Sequence, residues 1–213
     1  MNDILRLDIL PKEQLKLFEE LSYCDFIKEF YLAGGTCLAL QIGHRQSFDF
    51  DFFIPADFET SGIINILTRI GHYQRENEQR NTINGILNGV RISFFGYRYD
   101  IVDQFKVYEN IRLAGLKDIA AMKLEAIAGR GSKKDFVDMF FLLQQFSLEE
   151  IFSFHTQKYG IGLSNQYHLM KSLVYFADAG EEAMPIMIKA LEWEKVKQHI
   201  ISVTNRFAAY WGG

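Results

Sequence analysis

The sequence predicts an α+β protein, with a mixed α/β half to about residue 115 and an all-helical half from there to residue 213. Three observations predict it. The glycine pair Gly34-Gly35 separates a short apolar run from a helical pattern. Asn88-Gly89 stands between two strand-like runs, a dipeptide that favours the tight turn of a β-hairpin. From Leu116 onward the apolar spacing is helical almost to the end of the chain.

Each element follows from local pattern. Residues 11–24 read as a helix, with Pro11 in the first turn and Leu15, Leu17, Phe18 and Leu21 near helical spacing. Residues 30–33 are a short strand, and residues 36–42 a short helix. Residues 48–54 read as a buried strand that ends at Pro55, followed by a helix over 61–70. Residues 82–87 and 90–95 form the two arms of the hairpin. In the second half, helices are expected over 119–128, 134–145, 148–158, 166–177 and 193–210. No internal repeat or low-complexity linker interrupts the chain, so the expected domains are residues 1–115 and 116–213.

Bulk properties exclude several classes. A net charge of -4 and a pI near 5.8 rule out a generally basic surface, so any nucleic-acid contact must come from a local patch. The start, Met1-Asn2-Asp3-Ile4-Leu5-Arg6, lacks a basic segment followed by an apolar run, and no stretch approaches membrane-spanning length. A soluble, cytoplasmic protein with no membrane partner is expected. Cys24 and Cys37 form no CxxC and have no neighbouring histidines, so both read as core thiols rather than zinc ligands.

The chemistry concentrates between residues 34 and 51. In a strand, residues two apart point to one face, so Asp49 and Asp51 stand side by side about 7 Å apart at the backbone. Such a pair repels itself unless a cation lies between. The hard ion suited to it is Mg2+, which takes one or two carboxylates and completes its shell with water and substrate phosphates. Gly34 and Gly35, between strand and helix, allow close backbone approach to a phosphate at the helix N-terminus. Thr36 adds a hydroxyl there, and Arg45 and Ser47 precede the aspartates. The alternative reading of these residues is a tight turn, a surface arginine and an N-capping serine. The order of strand, Gly-Gly, helix, Arg-x-Ser-x-Asp-x-Asp favours phosphate chemistry.

These residues resemble a known family. Phe30-Tyr31-Leu32-Ala33-Gly34-Gly35-Thr36 with His44-Arg45-Gln46-Ser47-Phe48-Asp49-Phe50-Asp51 is similar to the opening motifs of the AbiEii-type nucleotidyltransferase toxins, within the DNA polymerase β-like nucleotidyltransferase superfamily. Downstream, Lys123-Leu124-Glu125 through Arg130, then Lys133-Lys134-Asp135-Phe136-Val137-Asp138, resembles the family's later Lys and Lys/Arg-Asp-x-x-Asp motifs. The resemblance runs from about Phe30 to Leu143 and leaves the last third without a motif.

The resemblance implies a polymerase β-like core, a mixed sheet flanked by helices, followed by a helical bundle that contributes Lys123, Arg130 and Asp138. It implies that Asp49 and Asp51 bind magnesium and that Gly34, Gly35, Thr36, Arg45 and Ser47 hold the phosphates of a nucleoside triphosphate. Asp49, Asp51, Lys123 and Asp138 would be catalytic, with Arg130, Lys134 and Asp135 assisting nucleotide binding. The implied activity transfers a nucleotide to an acceptor, in the family often an RNA such as a tRNA end, and the implied setting is a toxin with a cognate antitoxin. Lys123 and Arg130, seven apart, share a helix face, as do Asp135 and Asp138, three apart. Lys117, Lys123, Arg130, Lys133 and Lys134 are the candidate RNA-binding patch.

One departure stands out. Many superfamily members carry a third carboxylate on a later strand, where Ile92-Ser93-Phe94 has a serine. Asp138, Asp135, Asp100 or Asp103 could complete the centre, and the family motif favours Asp138; otherwise the protein is weak or inactive, with a regulatory or interaction role. Another metal-dependent phosphotransferase or phosphohydrolase using the same aspartates is a third reading. The five histidines show no metal-ligand spacing, and Phe136, Phe140 and Phe141 read as packing.

Overall fold

The computed structural model describes residues 5–160 and 165–211; Met1 to Ile4, part of the start considered above, lie outside the described residues. The chain divides into two compact units, one of Met1–Tyr99 with Gln104–Ala114, the other of Asp100–Asp103 with Gly115–Gly213.

In the first unit the elements run α1 (Lys12–Ser22), β1 (Tyr31–Ala33), α2 (Gly34–Ile42), β2 (Asp49–Ile54), α3 (Thr60–Ile70), β3 (Tyr73–Gln79), β4 (Thr82–Leu87), β5 (Val90–Gly96), β6 (Lys106–Tyr108) and β7 (Ile111–Leu113), with 3-10 turns at Leu7–Ile9 and Asp25–Glu29. The strands form one mixed sheet in the order β3-β4-β5-β2-β1-β7-β6. The central pair β2 and β5 is parallel, as is β1 with β7, while β1 pairs β2 antiparallel.

Pleating sorts the two faces of β2. Phe50, Phe52 and Ile54 point into the core, where Phe52 stacks on Phe94 with centroids 5.3 Å apart and Phe50 meets Phe18 of α1 at 5.8 Å. Asp49, Asp51 and Phe53 take the other face and are only half-buried. The expected buried strand is buried on one face only, because the alternate positions Asp49, Asp51 and Phe53 take the half-buried face.

The expected hairpin forms, with Asn88 at φ 51 and Gly89 at φ 84, the positive pair a type I′ turn requires. Three strands escape the sequence reading. β3, Tyr-Gln-Arg-Glu-Asn-Glu-Gln, is an exposed edge strand with no apolar alternation. β6 and β7 are three residues each and turn through Glu109, at φ 47.

The second unit holds α4 (Leu116–Gly129), α5 (Lys133–Leu142), α6 (Leu148–Tyr159), α7 (Gln166–Leu173), α8 (Ala177–Glu181) and α9 (Trp193–Trp211). α4 packs on α5, α6 and α7, and α9 covers the same three. Leu124, Phe136, Leu142, Ile151, Leu169, Val196 and Ile200 are buried between them. Phe136, Phe140 and Phe141 are buried too, as a packing stripe requires. Ser147 and Glu150 close a capping box at the start of α6. The single helix expected over 166–177 is two, because α7 ends at Val174, whose amide turns back to Lys171 and Ser172.

Buried charge anchors this unit. Lys158 and Asp118, both fully buried, pair at 2.7 Å between α6 and α4. The Asp118 carboxylate also accepts from the amides of Val102 and Asp103, and Lys158 donates to the Asp100 carbonyl. This network fixes residues 100–103 to the helical unit.

Candidate active site

The two aspartates are placed by the sheet itself. Asp51 lies opposite Ala33 on β1 and opposite Ser93 on β5, and Asp49 lies opposite Arg91. The parallel register puts Ser93 on the same sheet face as Asp51, the position where a third carboxylate would stand.

The glycine pair is packed against these groups. Gly34 opens α2 at φ 73, and a Cβ built on it would lie 3.0 Å from the Asp51 carboxylate. A Cβ on Gly35 would lie 2.5 Å from the Arg45 guanidinium and 3.1 Å from the Ser47 hydroxyl. Positive φ makes Gly34 the residue of choice, and the close approach does the same for Gly35. Gly34, Gly35, Arg45, Ser47 and Asp51, all proposed from sequence, thus converge on one spot.

Two of the expected phosphate ligands have other work. The Thr36 hydroxyl, almost fully buried, donates to the Asp49 carbonyl at 2.5 Å, tying α2 to the first residue of β2. Arg45 is buried rather than a surface arginine, and its guanidinium donates to the Gln46 carbonyl at 2.8 Å. It supports the loop beneath Gly35.

The donor set suits a hard divalent ion. Asp49 and Asp51 offer oxygen ligands on one face, and the glycine at 34 keeps a Cβ from coming within 3.0 Å of the Asp51 carboxylate. Among the described residues no group of three or more His, Cys, Asp or Glu could hold a metal ion. Two carboxylates fit the way magnesium is held when water and substrate oxygens supply the rest.

The later motif forms a cluster inside the helical unit. Lys123, 5% exposed at its side chain, places its ammonium 2.9 Å from Asp135 and 2.6 Å from Asp138, both fully buried. Arg130 grips Asp135 with two bonds of 2.7 and 2.9 Å, and the Ser132 hydroxyl adds a third donor at 2.6 Å. Burial alone would push the Asp135 carboxyl up. The hydrogen bond from Arg130, the charges of Lys123 and Arg130, and the Ser132 hydroxyl outweigh it and hold the group well below the usual carboxylate range.

This arrangement corrects the expected basic patch. Lys123 is sealed between two carboxylates, and Lys133 is buried, bonded to the Gly180 and Glu182 carbonyls and set over the Trp193 ring at 5.1 Å. Lys117 is half-buried, its ammonium 5.7 Å from the Phe154 ring. Arg130 and Lys134 alone of the five are exposed. Five cations on one solvent-facing surface are not present, because the packing of α4 and α5 turns two of them inward.

Residues 16–112 match the model of a family described as nucleotidyl transferase AbiEii toxin, type IV toxin-antitoxin system. An uncharacterized protein of Aquifex aeolicus (strain VF5) is 38% identical over 198 residues, spanning 89% of this chain and 93% of that one. The chain belongs to the AbiEii nucleotidyltransferase toxin family. The match to the AbiEii model spans β1 through β6 and most of β7, and so includes the Gly34-Gly35 turn and both aspartates.

Two Helicobacter pylori crystal structures share the fold. One is a candidate nucleotidyltransferase, with a TM-score of 0.52 and 16% identity over 92% of this chain and 94% of that chain. The other, JHP933, gives a TM-score of 0.52 and 16% identity over 92% of each chain. At that identity the likeness is one of fold, the mixed sheet with flanking helices and a helical C-terminal region. Within this AbiEii chain, no described helix is long and apolar enough to cross a membrane.

The sequence reading missed the Asp118–Lys158 pair and the polar residues of α7. Neither lies in a motif, and His168 carried no ligand spacing to single it out.

Proposed function

We propose that this AbiEii protein is a magnesium-dependent nucleotidyltransferase that moves a nucleotide from a nucleoside triphosphate to an RNA end, acting as the toxin of its toxin-antitoxin pair. The observation that carries the reading is the close approach of the Gly34-Gly35 backbone to Asp51, Arg45 and Ser47. That packing keeps side chains away from the start of α2, and the first amides of a helix are donors suited to a phosphate.

In this reading Asp49 and Asp51 hold the metal. The chemistry the bound ions supply is neutralisation of charge on the α-phosphate and acidification of the attacking hydroxyl. Gly34 and Gly35 let the main chain cradle the phosphates, the Ser47 hydroxyl donates to a phosphate oxygen, and Arg45 keeps the turn in shape. The acceptor oxygen forms a bond to the α-phosphorus as the bond to the β-phosphate bridging oxygen breaks, so pyrophosphate leaves and the hydroxyl proton passes to water. The Lys123–Asp135–Asp138 cluster acts as a rigid support for α4 and α5.

A second reading, a weak or inactive nucleotide-binding relative, is favoured by one observation. Ser93 occupies the position opposite Asp51 and is a poorer ligand than a carboxylate.

Incubating the purified chain with magnesium, each labelled nucleoside triphosphate and total RNA separates the readings. Labelled RNA supports transfer. Nucleotide binding without labelled RNA supports the second reading, and phosphate release without an acceptor points to a hydrolase.

A further inference from the structure

The sheet face that carries Asp49 and Asp51 also carries a row of aromatic rings. Tyr31 on β1, Phe53 on β2 and Phe95 on β5 lie opposite one another in the strand register, and Phe53 is the next residue after Asp51 on that face. Tyr31 stacks on Phe53 with centroids 5.8 Å apart, Phe53 meets Phe95 at 5.2 Å, and Tyr97 stands edge-on to Phe53 at 5.2 Å. All four belong to the first unit. Two residues along a strand span about 7 Å, so the rings begin one such step from the Asp51 row.

Burial separates this row from the core. On the opposite face of the same strands Phe52 and Phe94 are fully buried, whereas Phe53, Phe95 and Tyr97 each keep part of their surface in water. Tyr31, fully buried, holds the Phe53 ring from the side. The rings are therefore fixed by one another before any ligand arrives, which lowers the entropy lost when one does.

The direction of the chemistry selects the occupant. In-line displacement puts the attacking and leaving oxygens on opposite sides of the α-phosphorus. The Gly34-Gly35 turn and Ser47 lie at the end where β2 begins, and Phe53 and Phe95 lie toward its other end. With pyrophosphate leaving over the turn, the acceptor hydroxyl comes from the side of the rings. We infer that Phe53 and Phe95 form the platform on which the terminal base of the acceptor RNA stacks. Every base has a π-face, so such a platform holds an RNA end without reading its sequence. This rests on the transfer reading of Asp49 and Asp51.

The test titrates the full chain into an oligoadenylate whose 3′-terminal base is 2-aminopurine, in EDTA and without triphosphate, so that binding is read apart from transfer. The emission of this base falls when it stacks. Saturable quenching by the parent that weakens about tenfold in Phe53→Leu and in Phe95→Leu, and is retained in Phe95→Tyr, supports the platform. Leucine keeps the apolar bulk and removes the ring, and tyrosine keeps the ring. In the transfer assay Phe95→Leu should raise the KM for RNA about tenfold and leave that for the triphosphate unchanged. No quenching at about 100 μM protein, quenching equal in all four chains, or a raised KM for the triphosphate alone overturns the platform. Labelled RNA without quenching leaves transfer standing and removes the platform. Ring-dependent quenching without labelled RNA supports the platform while the transfer reading fails.

Discussion

Ser93 lies directly opposite Asp51 across the parallel β2–β5 ladder, on the face that carries both aspartates. A serine there leaves the metal with two protein carboxylates. Replacing it with aspartate restores a third oxygen ligand of full charge. Ser93→Asp is expected to lower the magnesium concentration that half-saturates transfer, and to destabilise the metal-free protein, because three carboxylates repel on one face. Initial rates across a magnesium titration, with melting in EDTA, check both halves. An unchanged magnesium dependence contradicts the placement.

The glycine pair gives a second test. Gly34→Ala forces a side chain into φ 73 and to 3.0 Å from the Asp51 carboxylate. Its expected cost is on the order of 1–2 kcal/mol, read from a urea midpoint. Gly35→Ala displaces the Arg45 guanidinium and crowds Ser47, so it should reduce transfer about tenfold or more while costing less stability. Equal losses of activity and stability in the two variants would argue against a phosphate role for Gly35.

Lys123 offers the clearest stability prediction. Its removal leaves Asp135 and Asp138 facing each other in a buried site with one cation fewer. Lys123→Met should destabilise the protein by about 3–5 kcal/mol by urea unfolding. A much smaller loss would mean that the cluster is more hydrated than its burial implies.

Asp135 also predicts a response to acid. Its carboxyl is held below the ordinary value near 3.8 in the folded chain, so the unfolded state binds the proton more readily. The stabilisation is fully present above that ordinary value and is lost as pH falls from about 4 toward the depressed folded value. Asp135→Asn should remove this part of the acid dependence, lowering stability at neutral pH and flattening the acid limb in stability measured against pH.

The sheet end of the site was legible in sequence because a few local rules fix it. Alternation places Asp49 and Asp51 on one face, and a glycine pair after a strand has few structural uses. The helical cluster was only partly legible. Spacing shows that Lys123 and Arg130 share a face, but not that Asp135 on the next helix meets both. The inward turn of Lys133 was invisible for the same reason, since its partners Gly180 and Glu182 lie nearly fifty residues away. β3 was missed because an exposed edge strand needs no apolar alternation, and β6 and β7 because three residues cannot display a period.

The most direct measurement is the transfer of label from each nucleoside triphosphate to RNA as magnesium is varied, with Asp51→Asn beside the parent chain. Asparagine keeps the shape and removes the charge. The account predicts magnesium-dependent labelling that falls about a hundredfold or more in the variant, the scale expected when a charge-stabilising group is removed from a transition state. Labelling of equal rate in both chains, or labelling that persists in EDTA, would contradict it.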